Sequence, residues 1–254
     1  MIHDKTCYVL LFSGEDMFEL LNNCVHSIRI SNAEIPIRVY VPAISDRLIG
    51  LSKSYNLSLI ERDFFEKSAI KKDAYFEYGT KEFNIITSNK WKIIIDALDS
   101  GYQNVIFTDC DVSIIRDCSN YVEQVADAYP CGVQSESQPT FPPDLCTGFM
   151  FFSRQAYGLL ESVNEINLAS NVDRNDQDIF NLLVKSNPGL VKNIWVLPEA
   201  LFQNGLHAPF HLGRKFDLQL GELSPFVFHA NYVKGVKNKI KLLQRVGQWH
   251  LDAF

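Results

Sequence analysis

The sequence lacks several features that would place it in a specialised class of protein. It contains no Pro-, Gly- or Ser-rich linker and no Cys-x-x-Cys spacing, and its six cysteines are scattered through apolar segments, as is typical of buried thiols. Basic residues are not in excess, because 24 Lys and Arg stand against 30 Asp and Glu, for a formal net charge of −6. That charge argues against a general nucleic-acid-binding protein.

The beginning of the chain also lacks the pattern of a signal peptide or a membrane span. Residues 1–6 lead directly into the apolar run Cys7–Phe12, which is too short and too quickly interrupted for either. We therefore expect a cytoplasmic protein without a membrane span, and a membrane anchor in a longer chain stays open as the alternative. The sequence sets no oligomeric state.

The length and composition are those of one α/β domain. The 254 residues are 46% hydrophobic, which is enough for a substantial core, and we predict a single domain over 1–254 whose last third forms a smaller lobe. The β-α-β-α-β order of the opening elements favours a parallel sheet with helices on its faces. These elements are Cys7–Phe12, Asp16–Ile30, Ile37–Val41, Ser45–Tyr55 and Leu57–Ile60.

The alternation of strands and helices continues along the chain, with two interruptions. The segment Glu61–Phe83, rich in charged and aromatic residues, is either a lid or a surface excursion whose aromatics fold back onto the core. The polar loop Ser135–Asp144 is expected at a pocket rim. Either Asp173 or Asn175 caps the last predicted helix. The later elements are helix Ser88–Leu98, strand Val105–Thr108, helix Tyr121–Ala128, strands Cys131–Gln134 and Cys146–Phe152, helices Arg154–Glu165 and Asp176–Lys185, and strand Phe226–His229.

The most informative segment is 104–115, in which Asp109 and Asp111 interrupt a run of apolar, β-branched residues. The run predicts a central strand, and side chains two apart on a strand project to the same side, so the two carboxylates can share one ligand. Two ionised carboxylates this close repel unless a divalent metal neutralises them. The more specific interpretation of the two carboxylates is a metal site. The alternative is a strand end with one acid in solvent and the other capping the next turn.

Three further polar motifs have both a functional and a structural interpretation. Gly148, within a buried apolar run, indicates close approach by a ligand or another backbone, and packing alone also explains it. The segment Asp176-Gln177-Asp178 lies at a helix start, where capping is a sufficient explanation. His229 ends a strand and is a suitable nitrogen ligand for a divalent metal, or else a hydrogen-bonded structural residue. The lysines that follow it are typical of a solvated face.

Taken in order, these motifs resemble those of the GT-A glycosyltransferases. The resemblance is closest to the retaining, metal-dependent nucleotide-diphospho-sugar transferases of the glycogenin and galactosyltransferase kind and to the related plant xylosyl- and arabinosyltransferases. It implies a Rossmann-like, mostly parallel central sheet flanked by helices, a nucleotide-binding half at about 1–115 and an acceptor half at about 116–254. The matching positions are Lys92, Asp109-Cys110-Asp111, Thr147-Gly148-Phe149, Asn175-Asp176-Gln177-Asp178, and His229-Ala230-Asn231 with Gly235 and Lys239.

The resemblance also implies a role for each position. Asp109, Asp111 and His229 would bind Mn²⁺ or Mg²⁺, and oxygen ligands with one imidazole suit Mn²⁺ somewhat better. Either Lys237 or Lys239 would hold the diphosphate beside Gly235. The implied catalytic residues are Lys92, Asp176 and Gln177. The implied donor-binding residues are Ser13, Lys92, Asp109, Cys110, Thr147, Gly148, Asn231, Gly235, Lys237 and Lys239.

The implied reaction moves a sugar, with retention of anomeric configuration, from a nucleoside-diphosphate sugar to a hydroxyl of a glycan, glycolipid or glycoprotein. A UDP-hexose or UDP-pentose is the expected donor. A metal and fixed lysines would stabilise the charge on the leaving diphosphate. Gln177 would stabilise an oxocarbenium-like species, and a front-face mechanism needs no protein nucleophile. Two features depart from the family pattern: Cys146 stands where relatives often have asparagine, and the frame from His229 through Gly235 to Lys239 is longer than usual.

Two alternatives remain at this stage. A catalytically silent relative would bind a nucleotide sugar or a glycan without turnover, and the presence of Asp109, Asp111, Gln177 and His229 weighs against it. A nucleotidyltransferase or phosphohydrolase on a similar sheet would carry out pyrophosphate chemistry. The sequence lacks the Gly-rich phosphate loop expected near the first strand of such an enzyme.

Overall fold

The computed structural model describes residues 5–64, 76, 78–136, 140–169, 173–205 and 224–251. Among these residues, strands and helices alternate along the chain, which confirms the predicted α/β class. The strands are β1 (Thr6–Leu11), β2 (Ile37–Val41), β3 (Ser58–Glu61), β4 (Asn104–Thr108), β5 (Val112–Ile114), β6 (Cys131–Ser135), β7 (Leu145–Ser153), β8 (Ile194–Leu197), β9 (Phe202–Asn204) and β10 (Val227–His229).

Six helices of the described residues lie where the sequence predicts them, and three others, Lys81–Thr87, Pro188–Val191 and Val236–Arg245, were not predicted. The first of these precedes the helix predicted over Ser88–Leu98, and the Thr80 side chain caps it by accepting a hydrogen bond from Phe83 N at 3.2 Å. Asn175 caps the helix at 176–186 by accepting from Asp178 N at 2.8 Å, so Asn175 rather than Asp173 is the cap. The helices are α1 (Phe18–Ser31), α2 (Asp46–Tyr55), α3 (Lys81–Thr87), α4 (Lys90–Asp99), α5 (Ser119–Ala126), α6 (Tyr157–Ala169), α7 (Asp176–Ser186), α8 (Pro188–Val191) and α9 (Val236–Arg245).

A seven-stranded sheet forms the centre of the molecule, with strand order β3-β2-β1-β4-β7-β6-β8. The β1-α1-β2-α2-β3 opening is parallel, as the sequence predicts, and β4 continues it beside β1. Only β7 runs against its neighbours, β4 and β6, so the sheet is mostly parallel. Because β7 is antiparallel, its beginning lies beside the carboxyl end of β4, where Thr108 pairs with Phe149.

The sheet is buried on both faces, which explains its almost continuous apolar strands. Alternate residues of β1 pack into different clusters: Tyr8 and Leu10 join the cluster that includes α1, while Cys7 and Val9 join the cluster that includes α4. Each cluster covers one face of the sheet. The carboxyl edge of the parallel strands is left as the place where polar side chains can meet, since ligands of open α/β sheets bind at that edge.

A second, three-stranded sheet, ordered β5-β10-β9, continues from the end of β4. Asp109 and Asp111 lie in the turn between β4 and β5, so the prediction that they alternate along one strand is wrong in detail. In the pairing of β10 with β5, His229 lies opposite Val112. Strand β10, in the last third of the chain, thus pairs with β5, the strand that follows Asp109 and Asp111. Residues 206–223 of the predicted lobe lie outside the described residues.

The interrupted segments are described in part. Within Glu61–Phe83, residues 65–75 and 77 lie outside the described residues, while Phe64 is buried against the core and Tyr78 is exposed. Within Ser135–Asp144, residues 137–139 lie outside them. None of the helices in the described ranges combines the length and apolar character that crossing a bilayer requires.

Candidate active site

A cavity of about 500 Å³ opens at the carboxyl edge of the central sheet. Its lining includes Ser13 after β1, Asp109 and Asp111 after β4, and residues from the beginnings of β7 and α7. An aromatic wall, which includes Tyr78 and Phe83, lies on another side. The cavity therefore combines a few convergent polar groups with apolar surface, as small-molecule sites usually do.

Three of these residues, Asp109, Asp111 and His229, present ligand atoms within 4.8 Å of one another. Backbone bonds fix the turn that carries the acids: Asp109 N donates to Gly148 O at 2.8 Å, and the Asp111 carbonyl accepts from Ala230 N at 2.9 Å. Asp111 and His229 are buried, and Asp109 is partly exposed to the cavity. The turn and strand β10 together place side chains more than a hundred positions apart in the sequence at one point.

The His229 ring is oriented by Gln134, which sequence reasoning missed. The Gln134 amide donates to the carbonyls of Phe202 and Gln203 at 3.1 and 3.0 Å, so its Oε1 faces His229 Nδ1 at 2.9 Å. Nδ1 must then carry the proton, which leaves the Nε2 lone pair directed towards Asp111 Oδ1 at 3.4 Å. Gln134 is buried within β6, and no sequence motif marks it.

Gly148 provides the space for this ring. A Cβ placed on Gly148 would lie 2.1 Å from His229 Cε1 and 2.8 Å from Nε2, so no side chain fits there. The close approach at Gly148 is thus made by the imidazole of His229, so packing of a side chain, rather than a ligand or another backbone, explains this glycine.

Lys90 connects two of the acidic groups and is the main functional residue that sequence reasoning missed. Its Nζ lies 3.0 Å from Asp109 Oδ1 and 2.9 Å from Asp176 Oδ2, and it donates to the Thr147 carbonyl at 3.3 Å. Lys92, which was predicted here, is exposed on the same helix and does not line the cavity. Two residues along a helix differ by about 200° in direction, so the two lysines cannot face the same way. The signal available in the sequence was the helical spacing of Lys90 from the apolar residues Ile93, Ile94 and Ala97.

The start of α7 is bonded to the start of β7. Thr147 Oγ1 donates to Asp176 Oδ2 at 2.5 Å, and Thr147 N donates to Gln177 Oε1 at 3.3 Å. Asp176 is buried, while Gln177 is partly exposed and lines the cavity. The structure therefore brings the predicted residues Thr147, Asp176 and Gln177 together beside Lys90.

Of the two lysines left open by the sequence, the structure brings Lys239 to the site. Its Nζ forms an ion pair with Asp111 Oδ2, whereas Lys237 is exposed and does not line the cavity. Gly235 precedes α9 with φ of 82°, a left-handed conformation that glycine adopts readily, and it too is absent from the cavity lining. Its contribution is to set the start of the helix that carries Lys239.

The remaining predicted donor residues, Ser13, Cys110 and Asn231, all line the cavity. The Cys110 thiol donates to the Leu11 carbonyl at 3.4 Å. Asn231 Oδ1 accepts from Gly205 N at 2.6 Å, and its Nδ2 lies 3.6 Å from the sulfur of Cys146. The amide of Asn231 therefore lies beside the cysteine that departs from the family pattern.

The electrostatics of the site follow from burial and these ion pairs. Burial alone would raise the pKa of Asp111, but the Lys239 ammonium opposes this, and that pKa lies well below its usual range. Burial raises the pKa of Asp109, and Lys90 offsets this only in part. Burial would lower the pKa of Lys90, yet Asp109 and Asp176 together keep it raised, so this ammonium stays charged.

The donor set fits a divalent metal. Two carboxylates and one imidazole nitrogen are ligands of the kind that Mn²⁺ accepts. The hydrogen bond to Gln134 and the space beside Gly148 keep His229 Nε2 directed at the two acids. Because one side of the group opens into the cavity, ligands from a bound molecule could complete the coordination.

Sequence and structure comparisons place this chain in a known family. A sequence model of the nucleotide-diphospho-sugar transferases matches residues 55–243, about three quarters of the chain. No match was found among curated proteins. The chain belongs to the nucleotide-diphospho-sugar transferase family and is a glycosyltransferase.

Solved structures show the same fold at low sequence identity. The galactosyltransferase LgtC, solved with donor and acceptor sugar analogues, gives a TM-score of 0.64 with 11% identity over 97% of each chain. GlyE of Streptococcus pneumoniae gives 0.60 with 12% identity over 98% of this chain and 61% of that chain. Mouse xyloside xylosyltransferase 1 gives 0.54 with 14% identity over 89% and 98%. The fold is therefore GT-A, as the sequence motifs implied.

Proposed function

We propose that this enzyme transfers a sugar from a UDP-sugar to a hydroxyl of a glycan, glycolipid or glycoprotein, and that the reaction depends on a divalent metal. The observation that carries the proposal is the grouping of Asp109, Asp111 and His229 within 4.8 Å in a cavity that three lysines also line. A sugar nucleotide presents a diphosphate, which suits a bound divalent metal with lysines beside it, and a sugar with several hydroxyls, which suits the neighbouring polar side chains.

The metal would be held by Asp109, Asp111 and His229 and, when bound, would supply positive charge to a leaving diphosphate. The protein itself contributes fixed ammonium groups. Lys90 stays charged because two carboxylates flank it, and it does not need to reorganise because it is bonded on three sides. Preorganised charge of this kind stabilises a transition state more effectively than mobile charge.

The start of α7 is proposed to bind the donor sugar. The Oδ2 atom of Asp176 is already engaged by Lys90 and Thr147, so this carboxylate is better suited to position groups than to attack carbon. Gln177 is the more exposed of the two, and its amide would stabilise positive charge at the anomeric carbon. This arrangement supports transfer with retention by a front-face route, in which no protein nucleophile is required.

The proposed halves of the chain meet at this cavity. Ser13, Lys90, Asp109 and Asp111 come from about 1–115, which would bind the nucleotide, and Gln177 belongs to about 116–254, which would bind the acceptor. Neither half contains a complete site.

A UDP-release and thermal-shift screen tests the proposal. UDP-glucose, UDP-galactose, UDP-xylose and their GDP counterparts would each be tested with Mn²⁺ and with EDTA. We expect one donor to raise the Tm and release its nucleotide slowly, only with metal. Absence of any metal-dependent response would contradict the proposal, and binding without release on any acceptor would point to a catalytically silent relative.

A further inference from the structure

The two lysines of the site hold the metal-binding carboxylates in different ways. Lys90 is only 5% exposed at its side chain and is bonded to Asp109, to Asp176 and to the Thr147 carbonyl. Lys239 reaches Asp111 from helix α9, lines the cavity and is 18% exposed. Lys90 is therefore fixed by contacts to the turn after β4, to β7 and to α7, whereas Lys239 lies where an incoming ligand would contact it.

Lys239 competes for an atom that a metal would need. Asp111 Oδ1 faces His229 Nε2 at 3.4 Å, and Oδ2 pairs with Lys239, so both oxygens of this carboxylate already have a neighbour. An ammonium group and a divalent cation on the same carboxylate would repel each other strongly at such a buried position. Metal entry therefore requires Lys239 to leave Asp111 or to loosen its contact.

The charges of the site favour this exchange only when an anion is also present. The charged side chains that line the cavity leave a formal net charge of −1, from four carboxylates, Asp109, Asp111, Glu136 and Asp176, against three lysines, Lys90, Lys234 and Lys239. A divalent cation alone would reverse the sign and leave the displaced Lys239 without its carboxylate. A diphosphate, which is negatively charged at each phosphate, would offset the excess and give Lys239 a new partner.

We propose that Lys239 is an exchangeable counter-ion, paired with Asp111 in the metal-free enzyme and transferred to the diphosphate when metal and nucleotide bind together. This inference rests on the proposed function, and it adds that metal and nucleotide bind cooperatively through one side chain. Because such coupling is reciprocal, metal strengthens nucleotide binding by the same factor as nucleotide strengthens metal binding.

The test measures Mn²⁺ binding by the loss of the free-ion electron paramagnetic resonance signal, without and with UDP. The proteins are the wild type, Lys239→Met and the matched control Lys237→Met, which removes the same charge from an exposed position of the same helix. We expect Lys239→Met to bind Mn²⁺ without UDP about ten-fold more tightly than wild type. The factor by which UDP strengthens Mn²⁺ binding should be about ten-fold smaller in this variant than in wild type. Lys237→Met should change neither quantity by more than about two-fold.

Three results would overturn the exchange. They are Mn²⁺ binding by Lys239→Met equal to that of wild type, weaker Mn²⁺ binding by Lys239→Met without UDP, and equal effects of Lys237→Met and Lys239→Met. If no protein binds Mn²⁺ even with UDP, the metal dependence of the proposed function fails instead. Because Asp111 loses a partner in Lys239→Met, the rise in Tm on adding Mn²⁺ is a second measurement, and it should be larger in this variant than in wild type. Lys239→Gln repeats both measurements if the methionine variant does not fold.

Discussion

At the scale of single residues, Lys90 contacts both Asp109, in the metal-binding turn, and Asp176, at the start of α7. It is the only cation that joins the metal-binding turn to the start of α7 among the described residues. Without its charge, the partly exposed Asp109 and the buried Asp176 would have no cation between them. A buried ion pair of this kind contributes little net stability when intact, but its loss on one side is costly.

We expect Lys90→Met to lower the free energy of unfolding by about 3–5 kcal/mol, because it removes the cation from the buried Asp176 and the partly exposed Asp109. The matched variant Lys92→Met, exposed and two positions away on the same helix, should change it by less than about 0.5 kcal/mol. Urea denaturation of both variants measures the difference. Equal stabilities would show that Lys90 does not hold the two carboxylates as the structure describes.

Gly148→Ala tests the support of the metal ligand. The added Cβ meets the His229 ring, so we expect the ring to move, Mn²⁺ affinity to fall at least about ten-fold and stability to fall by about 1–3 kcal/mol. Gly158→Ala on α6 is the control, since nothing lies within 4 Å of the Cβ it would add. It should be neutral or slightly stabilising. An Mn²⁺ affinity in Gly148→Ala equal to that of wild type would show that the ring does not need this space.

At the scale of elements, local signals explain what the sequence could predict. The opening strands and helices have clean periodicities, and the structure reproduces their order and nearly their bounds. The turn after β4 was misjudged because the apolar run from Asn104 to Ile115 spans two strands of different sheets, and composition does not reveal the break. Lys90 was missed for a different reason: the family resemblance pointed to Lys92, although the apolar spacing of α4 places Lys90 on the buried face.

The segment after α9 is an element that only tertiary contacts define. Asn23, fully buried on α1, donates to the Gln248 carbonyl at 3.0 Å and accepts from His250 N at 2.7 Å. His250 Nε2 lies 3.2 Å from Ser113 Oγ on β5, and its ring lies 6.1 Å from that of His26. The segment thus ties the helix that carries Lys239 to the strand that follows Asp111.

This contact gives the fold a pH dependence. Burial, and secondarily His26, lowers the pKa of His250 below its usual value of about 6.5. Below that value the unfolded chain binds more protons than the folded one, so stability falls as pH falls. We expect the drop in Tm between pH 7.5 and 5.5 to be smaller by about 1–2 °C in His250→Gln than in wild type. The same drop in both proteins would contradict this assignment.

At the scale of the whole molecule, the site exists because distant parts of the chain converge on one edge of the sheet. The antiparallel β7 brings Thr147 and Gly148 beside the end of β4, and β10 returns His229 to the turn that follows it. The order of motifs along the sequence indicated the family and the fold. It could not indicate Gln134, since the side chain that orients His229 is recognised only once β6 and β10 are placed.

The measurement that tests the account most directly is the Mn²⁺ dependence of UDP release from the donor identified by the screen, in wild type and in Asp111→Asn. The exposed Asp127→Asn serves as the control for loss of a carboxylate. We expect wild type and the control to release UDP only with Mn²⁺, and Asp111→Asn to remain folded yet lose metal-dependent release by at least about a hundred-fold. Unchanged release by Asp111→Asn at a matching Tm would contradict the metal site and the function built on it.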